Sequence, residues 1–118
     1  MKIKEINIVK DFHSRPYGRY NDDCPECSET SGEAFRDNIL FPAMKDKSYD
    51  SVIVDLTGFN RYGRSFLDEA FGGLIHNKNL SKLDLDNKLV YKHDDLKSII
   101  SIIDERIQSA ENKREKQC

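Results

Sequence analysis

The stretch Ser51-Val52-Ile53-Val54-Asp55-Leu56 constrains the fold of this chain more than any other. A short continuous run rich in β-branched residues reads as a strand buried on both faces, the kind found at the centre of a sheet between helices. Gly58 breaks the run, residues 59–64 form a polar turn with Asn60 and Gly63, and a helix begins at Ser65. Phe66, Leu67, Ala70, Phe71, Leu74 and Ile75 recur at helical spacing, which predicts a helix over 65–76 packed against the strand. Ser65 reads as its N-cap, with Asp68 as the reciprocating member of a capping box. Gly72 and Gly73 each cost about 1 kcal/mol against Ala inside a helix, so close approach to a neighbouring strand is their expected justification.

The flanking segments supply the remaining elements. Ile6 and Ile8 alternate with polar neighbours, predicting a half-buried strand over residues 3–10. Thr30-Ser31-Gly32-Glu33 fits a capping box with Thr30 as the cap, opening a helix whose stripe is Ala34, Phe35, Ile39 and Met44. Pro42 removes a hydrogen bond and clashes with the Asn38 carbonyl, which predicts a kink or an end there. Lys88-Leu89-Val90-Tyr91 reads as a last strand, with Leu83 and Leu85 able to start another just before it. Asp94 or Asp95 then caps a final helix carrying Leu96, Ile99, Ile100, Ile103 and Ile107 on one face. From Glu111 no apolar stripe remains, so the domain is expected over 1–110, followed by a frayed polar tail over 111–118. Strand and helix alternate three times, the order of a single α/β domain with a small, mostly parallel or mixed sheet and helices packed against it. Residues 13–30 are a long turn-rich loop, in which Arg19 and Tyr20 are where a short strand would fit. Loops beyond about 12–15 residues tend to be functional or mobile.

Composition excludes several classes. Val, Ile, Leu and Phe make up 30 of the 118 residues, above the roughly 20% below which a charged chain stays disordered. The 19 basic and 21 acidic residues leave a net charge of −2, without the cationic field of a nucleic-acid binder. No apolar run approaches the roughly 18 residues of a membrane helix, and Met1-Lys2-Ile3-Lys4-Glu5 lacks a signal-peptide core. A cytoplasmic protein is expected. The cysteines are Cys24, Cys27 and Cys118, an odd number that argues against a disulfide framework. Cys24-Pro25-Glu26-Cys27 has zinc-knuckle spacing, which makes Cys24 and Cys27 the metal candidates. A structural zinc needs a second ligand pair, however, and His13, His76 and His93 stand singly. The pair lies among Asn, Asp, Pro and Ser instead of opening a helix after a strand, which argues against a thioredoxin-like role. An exposed loop with two thiols is the expected form. No Gly-rich nucleotide loop is present, so no cofactor is implied.

Chemistry concentrates between Asp55 and Glu69. Open α/β sheets bind ligands at the carboxyl ends of their strands, and a helix N-terminus favours negative charge. Arg61 and Arg64 add cations, so a phosphate on Ser65, carrying roughly −1.5 to −2 charge, would sit where it is favoured. The alternative from the same residues is a small enzyme or nucleotide-binding domain using this strand-end site. Asp55, Asp68 and Glu69 could supply carboxylates, but no His accompanies them at a motif spacing.

Val-Ile-Val-Asp-Leu-Thr-Gly, six residues, then Ser ahead of an apolar helix resembles the strand–loop–helix of STAS domains, the fold of bacterial anti-sigma-factor antagonists. The wider set is Gly18-Arg19-Tyr20, Ser31-Gly32-Glu33-Ala34-Phe35-Arg36, Ile39-Leu40 with Pro42, and Tyr62-Gly63-Arg64-Ser65-Phe66-Leu67-Asp68-Glu69-Ala70-Phe71-Gly72-Gly73-Leu74. It is similar to the bacterial and archaeal STAS-like domains of unknown function, over residues 3–107. The resemblance implies a non-enzymatic, regulatory protein–protein interaction module that docks through residues 62–69. Tyr62, Arg64, Ser65, Asp68 and Glu69 would form the surface, with Arg19 and Arg36 nearby. In STAS antagonists a GHKL-type kinase phosphorylates a Ser or Thr at the start of this helix, and the acceptor falls on Ser65. A GHKL-type ATPase or kinase is the implied partner. The sequence departs from the antagonist pattern at Gly63, where an Asp is usual, and at Phe66, where a small residue is usual. The CPEC loop has no counterpart in the pattern. Homodimerisation through the exposed side of the sheet or the last helix is a further reading.

Overall fold

Three strands lie side by side in chain order, β1 (Ile3–Asn7), β2 (Ser51–Asp55) and β3 (Leu89–Lys92). All are parallel, with Ile6 paired to Val54 and Val52 to Leu89. The structure is a computed structural model and describes residues 2–116. The interior position of β2 follows from its apolar run, but its burial differs from the expectation. Val52 and Val54 are buried, whereas Ser51, Ile53 and Asp55 are only half-buried. The sheet is therefore covered on one face alone. The other, carrying Glu5, Ile53 and Val90, lies at the surface, and Val90 is half exposed.

The strand expected over residues 3–10 ends at Asn7, and Ile8–Phe12 form a π-helical turn. The covering layer has four longer helices besides, and a four-residue helix α1 (Cys27–Thr30) lies inside the long loop. Residues 32–45 form α2, in which a wide π-helical turn (Arg36–Leu40) separates two α-helical pieces. Pro42 sits at the start of the second piece, so the break is accommodated by a wide turn just before it and the helix continues. Residues 64–76 form α3, again with a wide turn at its middle (Asp68–Gly72). The helix α4 (Lys82–Lys88) replaces the strand expected at Leu83 and Leu85. A capping box between Ser81 and Asp84 fixes its start, and only Leu85 is buried. The last helix, α5 (Lys97–Lys116), extends through much of the tail expected to fray. Glu111 explains this: it is buried, accepts the Lys82 N–H at 2.9 Å and is held by Arg114. Residues 117 and 118 lie outside the described residues. No described helix is long and apolar enough to cross a membrane.

One core joins the layers. Phe35, Phe66 and Phe71 are fully buried between α2, α3 and the sheet, and their rings pack at 6.2 to 6.4 Å. Gly32 lets α2 approach α3 closely, because a Cβ there would lie 2.5 Å from the Phe66 carbonyl oxygen. Gly73 faces the Arg36 guanidinium, and Gly72 faces α5, so the glycines expected to meet a strand make room for helices and an arginine.

Candidate functional site

The loop after β2 leads into α3, and the loop of residues 13–30 folds over the same end of the molecule. Tyr17 N–H donates to the Thr30 carbonyl at 2.9 Å, and the Gly18 and Arg19 carbonyls accept from Gly32 and Glu33 at 3.0 Å. Arg19 and Tyr20 form no strand; both take the Asp23 carboxylate through their backbone N–H groups. The loop thereby carries Arg19 to Asp68, at 2.6 Å, and to within 3.6 Å of Glu69. The hydrogen bond to Asp68 raises the Arg19 pKa against the opposing effect of burial.

The caps differ from the expected ones. Ser31, not Thr30, caps α2 by accepting from the Ala34 N–H at 3.0 Å. Thr30 instead donates to the Tyr17 carbonyl at 2.8 Å, and Glu33 accepts from the Asn21 N–H. At α3 the cap is Gly63, which has no side chain to accept a bond, and Ser65 is already within the helix. Its exposed hydroxyl makes no hydrogen bond among the described residues. Ahead of α5, His93 Nδ1 accepts the N–H groups of Asp95 and Leu96, a task expected of Asp94 or Asp95.

Several residues expected on the docking surface lie beneath it. Arg36 is only 3% exposed and reaches Asp37 at 2.9 Å, the Glu69 carbonyl at 3.1 Å and the Glu69 carboxylate. The wide turn of α3 makes this possible. Gly73 N–H donates to the Asp68 carbonyl in place of the Glu69 carbonyl, and the latter accepts from Arg36. Burial works against charge on Arg36, but the hydrogen bonds to Asp37 and Glu69 outweigh it and raise its pKa. Glu69, also buried, accepts from Asn77 Nδ2 at 2.9 Å. Tyr62 is buried as well and donates to the Leu56 carbonyl at 2.9 Å. Burial, together with the charge on Asp55, pushes its phenol well above the usual range. These three residues brace the site and are not presented by it.

At the surface remain Arg64 and Ser65, both exposed, and Arg19 and Asp68, partly so. Arg19, Arg64 and Ser65, with Tyr17, Tyr20, Asp23 and Arg61, border an open depression of about 560 Å³. Arg64 reaches Glu105 at 3.8 Å, and Arg61 has no ion-pair partner among the described residues. Asp55 accepts the Thr57 N–H at 3.0 Å and lies 3.7 Å from Lys92. Burial opposes its charge, yet the Thr57 hydrogen bonds bring its pKa below the usual carboxylate range. All three carboxylates noted in the sequence therefore already hold a cation or an N–H. Two contributors escaped sequence reading. Asn77 has no motif around it, and Arg106, 3.8 Å from Asp68, comes from α5, far along the chain.

The CPEC loop holds no free thiol pair. Cys24 and Cys27 form a disulfide, with their Cα atoms 5.0 Å apart, and Cys27 is fully buried at the start of α1. The odd cysteine count excluded a framework, but a turn in which Cys27 N–H meets the Cys24 carbonyl needs none. Joined in this way, neither sulfur is a thiolate ligand for a metal.

A family model described as a STAS-like domain of unknown function matches residues 31–98, from the cap of α2 into the start of α5. The match takes in β2, the Arg61–Ser65 turn and α3, and leaves out Arg19 and the disulfide loop. No curated protein and no solved structure matches the chain.

Proposed function

The chain belongs to the STAS-like domain family, and from that membership we propose that it is a regulatory protein–protein interaction module whose docking surface is the depression around Ser65. The observation that carries this reading is the state of Ser65. Its hydroxyl is exposed and unused by the fold, and it stands on the first turn of α3 between Arg19, Arg61 and Arg64. A hydroxyl engaged in capping would have a structural reason to be there; this one has none. A phosphate opposite such guanidinium groups typically creates about one to three charge-assisted hydrogen bonds. The partner in this reading is a GHKL-type ATPase or kinase, and the charge at Ser65 decides whether it binds.

Gly63 and Phe66 shape the proposal. No Asp precedes Ser65 by two residues, so the site offers a kinase fewer negative charges than the antagonist pattern does. Phe66 points into the core, fully buried, and leaves the exposed face of the turn to Arg64 and Ser65. The test is capture of partners on the tagged full chain from its native cells. The recovered ATPase is then titrated against wild type, Ser65→Asp and Arg64→Glu, with intact-mass analysis of the cell-purified protein. The reading expects affinities that differ several-fold or more, with stability unchanged, and a phosphate adduct at Ser65. Equal affinities for all three proteins would remove the docking surface, and a missing adduct alone would remove the switch.

A further inference from the structure

A second cavity, of about 740 Å³, opens beside the depression and is lined by His13, Arg15, Cys24, Glu26 and Arg61. Cys24 forms part of its wall, while its disulfide partner Cys27 does not reach it and is fully buried. The two cysteines are thus unequal: Cys24 is partly exposed and lines the cavity, whereas Cys27 is fully buried. The surrounding charge is unequal as well. Arg15 and Arg61 carry no ion-pair partner among the described residues, and Glu26 supplies the one carboxylate in the wall. We infer that Cys24–Cys27 is a thiol–disulfide exchange site that takes anionic, carboxylate-bearing thiols at Cys24.

A thiolate RS⁻ entering the cavity attacks Cys24 Sγ, and the bond between RS and Cys24 forms as the bond between Cys24 and Cys27 breaks. The electron pair leaves on Cys27 Sγ, and the proton that RSH shed on forming RS⁻ neutralises it, carried by water that enters as the Cys24–Cys27 bond opens. Cys27 Sγ lies 3.8 Å from the Tyr17 carbonyl oxygen, which can accept a hydrogen bond from the resulting buried thiol. Deprotonated again, Cys27 attacks the mixed disulfide, restores the original bond and expels RS⁻. Alternatively a second RS⁻ attacks the mixed disulfide, releasing RSSR and leaving the dithiol. Exchange rates follow the thiolate fraction and access to the attacked sulfur. The cationic wall adds a preference for negative charge, and this preference weakens with salt.

Gly18 connects this chemistry to the loop. Its φ is +93°, and a Cβ there would lie 2.7 Å from Cys27 Sγ, so the chain passes directly over the buried sulfur. The next residue is Arg19, which holds Asp68.

The test uses the full chain with Cys118→Ser, so that two cysteines remain. Reduction is followed with reduced glutathione, which is anionic, 2-mercaptoethanol, which is neutral, and cysteamine, which is cationic. Reagents are matched in thiolate concentration, and each rate is divided by that toward the same disulfide in urea. Glutathione is expected to exceed cysteamine by about fivefold or more at low ionic strength, a ratio that collapses in high salt. Arg15→Ala with Arg61→Ala should bring it toward unity. With oxidised glutathione, Cys27→Ser should acquire one glutathionyl group on Cys24, and Cys24→Ser none on Cys27. Equal normalised rates for the three thiols, or an adduct on Cys27 in the folded protein, would overturn the inference. So would two cysteines that stay reduced in oxidised glutathione. The salt dependence in the unsubstituted arginine background keeps the test decisive should the double variant fail to fold.

Discussion

Arg36 and Glu69 join α2 to α3 inside the domain, the guanidinium donating to both the carboxylate and the backbone carbonyl of the same residue. Removing one member of a buried ion pair leaves an uncompensated charge and typically costs 3–5 kcal/mol. Arg36→Met should therefore lower the unfolding free energy by about 3 kcal/mol, the low end, because Arg19 remains 3.6 Å from Glu69. Arg36→Met combined with Glu69→Leu should recover much of that loss in urea titrations. A double variant no more stable than the single one would show that the pair contributes more than mutual neutralisation.

Ser65→Ala should change stability by less than about 0.5 kcal/mol, the range for a surface position without special structure. A capping serine would cost about 0.5–2 kcal/mol. Chemical denaturation of the two proteins side by side distinguishes the cases.

Gly63→Asp should stabilise the domain by about 0.5–1 kcal/mol. The backbone at 63 is extended, with φ −76° and ψ 151°, and nothing lies within 4 Å of a Cβ placed there. An aspartate supplies the missing cap and restricts the unfolded chain. A lowered melting temperature would contradict this.

Gly32→Ala tests two opposed effects. Helix propensity favours alanine by about 1 kcal/mol, but its Cβ would lie 2.5 Å from the Phe66 carbonyl oxygen, a backbone atom that cannot swing aside. Overpacking of this kind costs about 1–3 kcal/mol, and net destabilisation is expected. A neutral or stabilised variant would mean that α2 and α3 separate easily.

Acid should weaken the attachment of α5 to α4. Hydrogen bonds from Arg114, and then from the Lys82 N–H, hold Glu111 at about 2, below its ordinary 4.5. Between those values the unfolded chain binds the proton more readily than the folded one. The stabilisation is thus complete above pH 4.5 and fades as pH falls toward 2. Glu111→Gln should flatten that part of the stability profile, measured by urea melts at successive pH values. An unchanged slope would place the acid sensitivity elsewhere.

Elements with strong periodicity were legible in the sequence: β2 from its β-branched run, the helix over 65–76 from its apolar stripe, and the interior place of β2 in a parallel sheet. Local polar chemistry was not. Thr30 and Ser31 are adjacent and both can cap, and only the position of the Tyr17 carbonyl decides which one is drawn away. Ser65 looked like a cap because serine suits that place, yet the helix begins earlier, at Arg64. The two-sided burial expected for β2 failed at Ile53, an apolar residue on a face that no helix covers. Arg36 and Glu69 looked like surface charges because their burial depends on wide turns that carry no simple period.

The strand order has a consequence for how the chain folds. Because the sheet is all parallel, no strand meets its neighbour across a tight turn. Ile3 must find Ser51, and Val52 must find Leu89, each after a helical stretch has intervened. Such distant pairings incur loop-closure entropy before any contact offsets it. During synthesis β1 therefore emerges before its partner β2, and the helices between them are free to form first. A nascent chain that has not reached Leu89 leaves β2 as an open edge, and its apolar run is the segment a chaperone would meet.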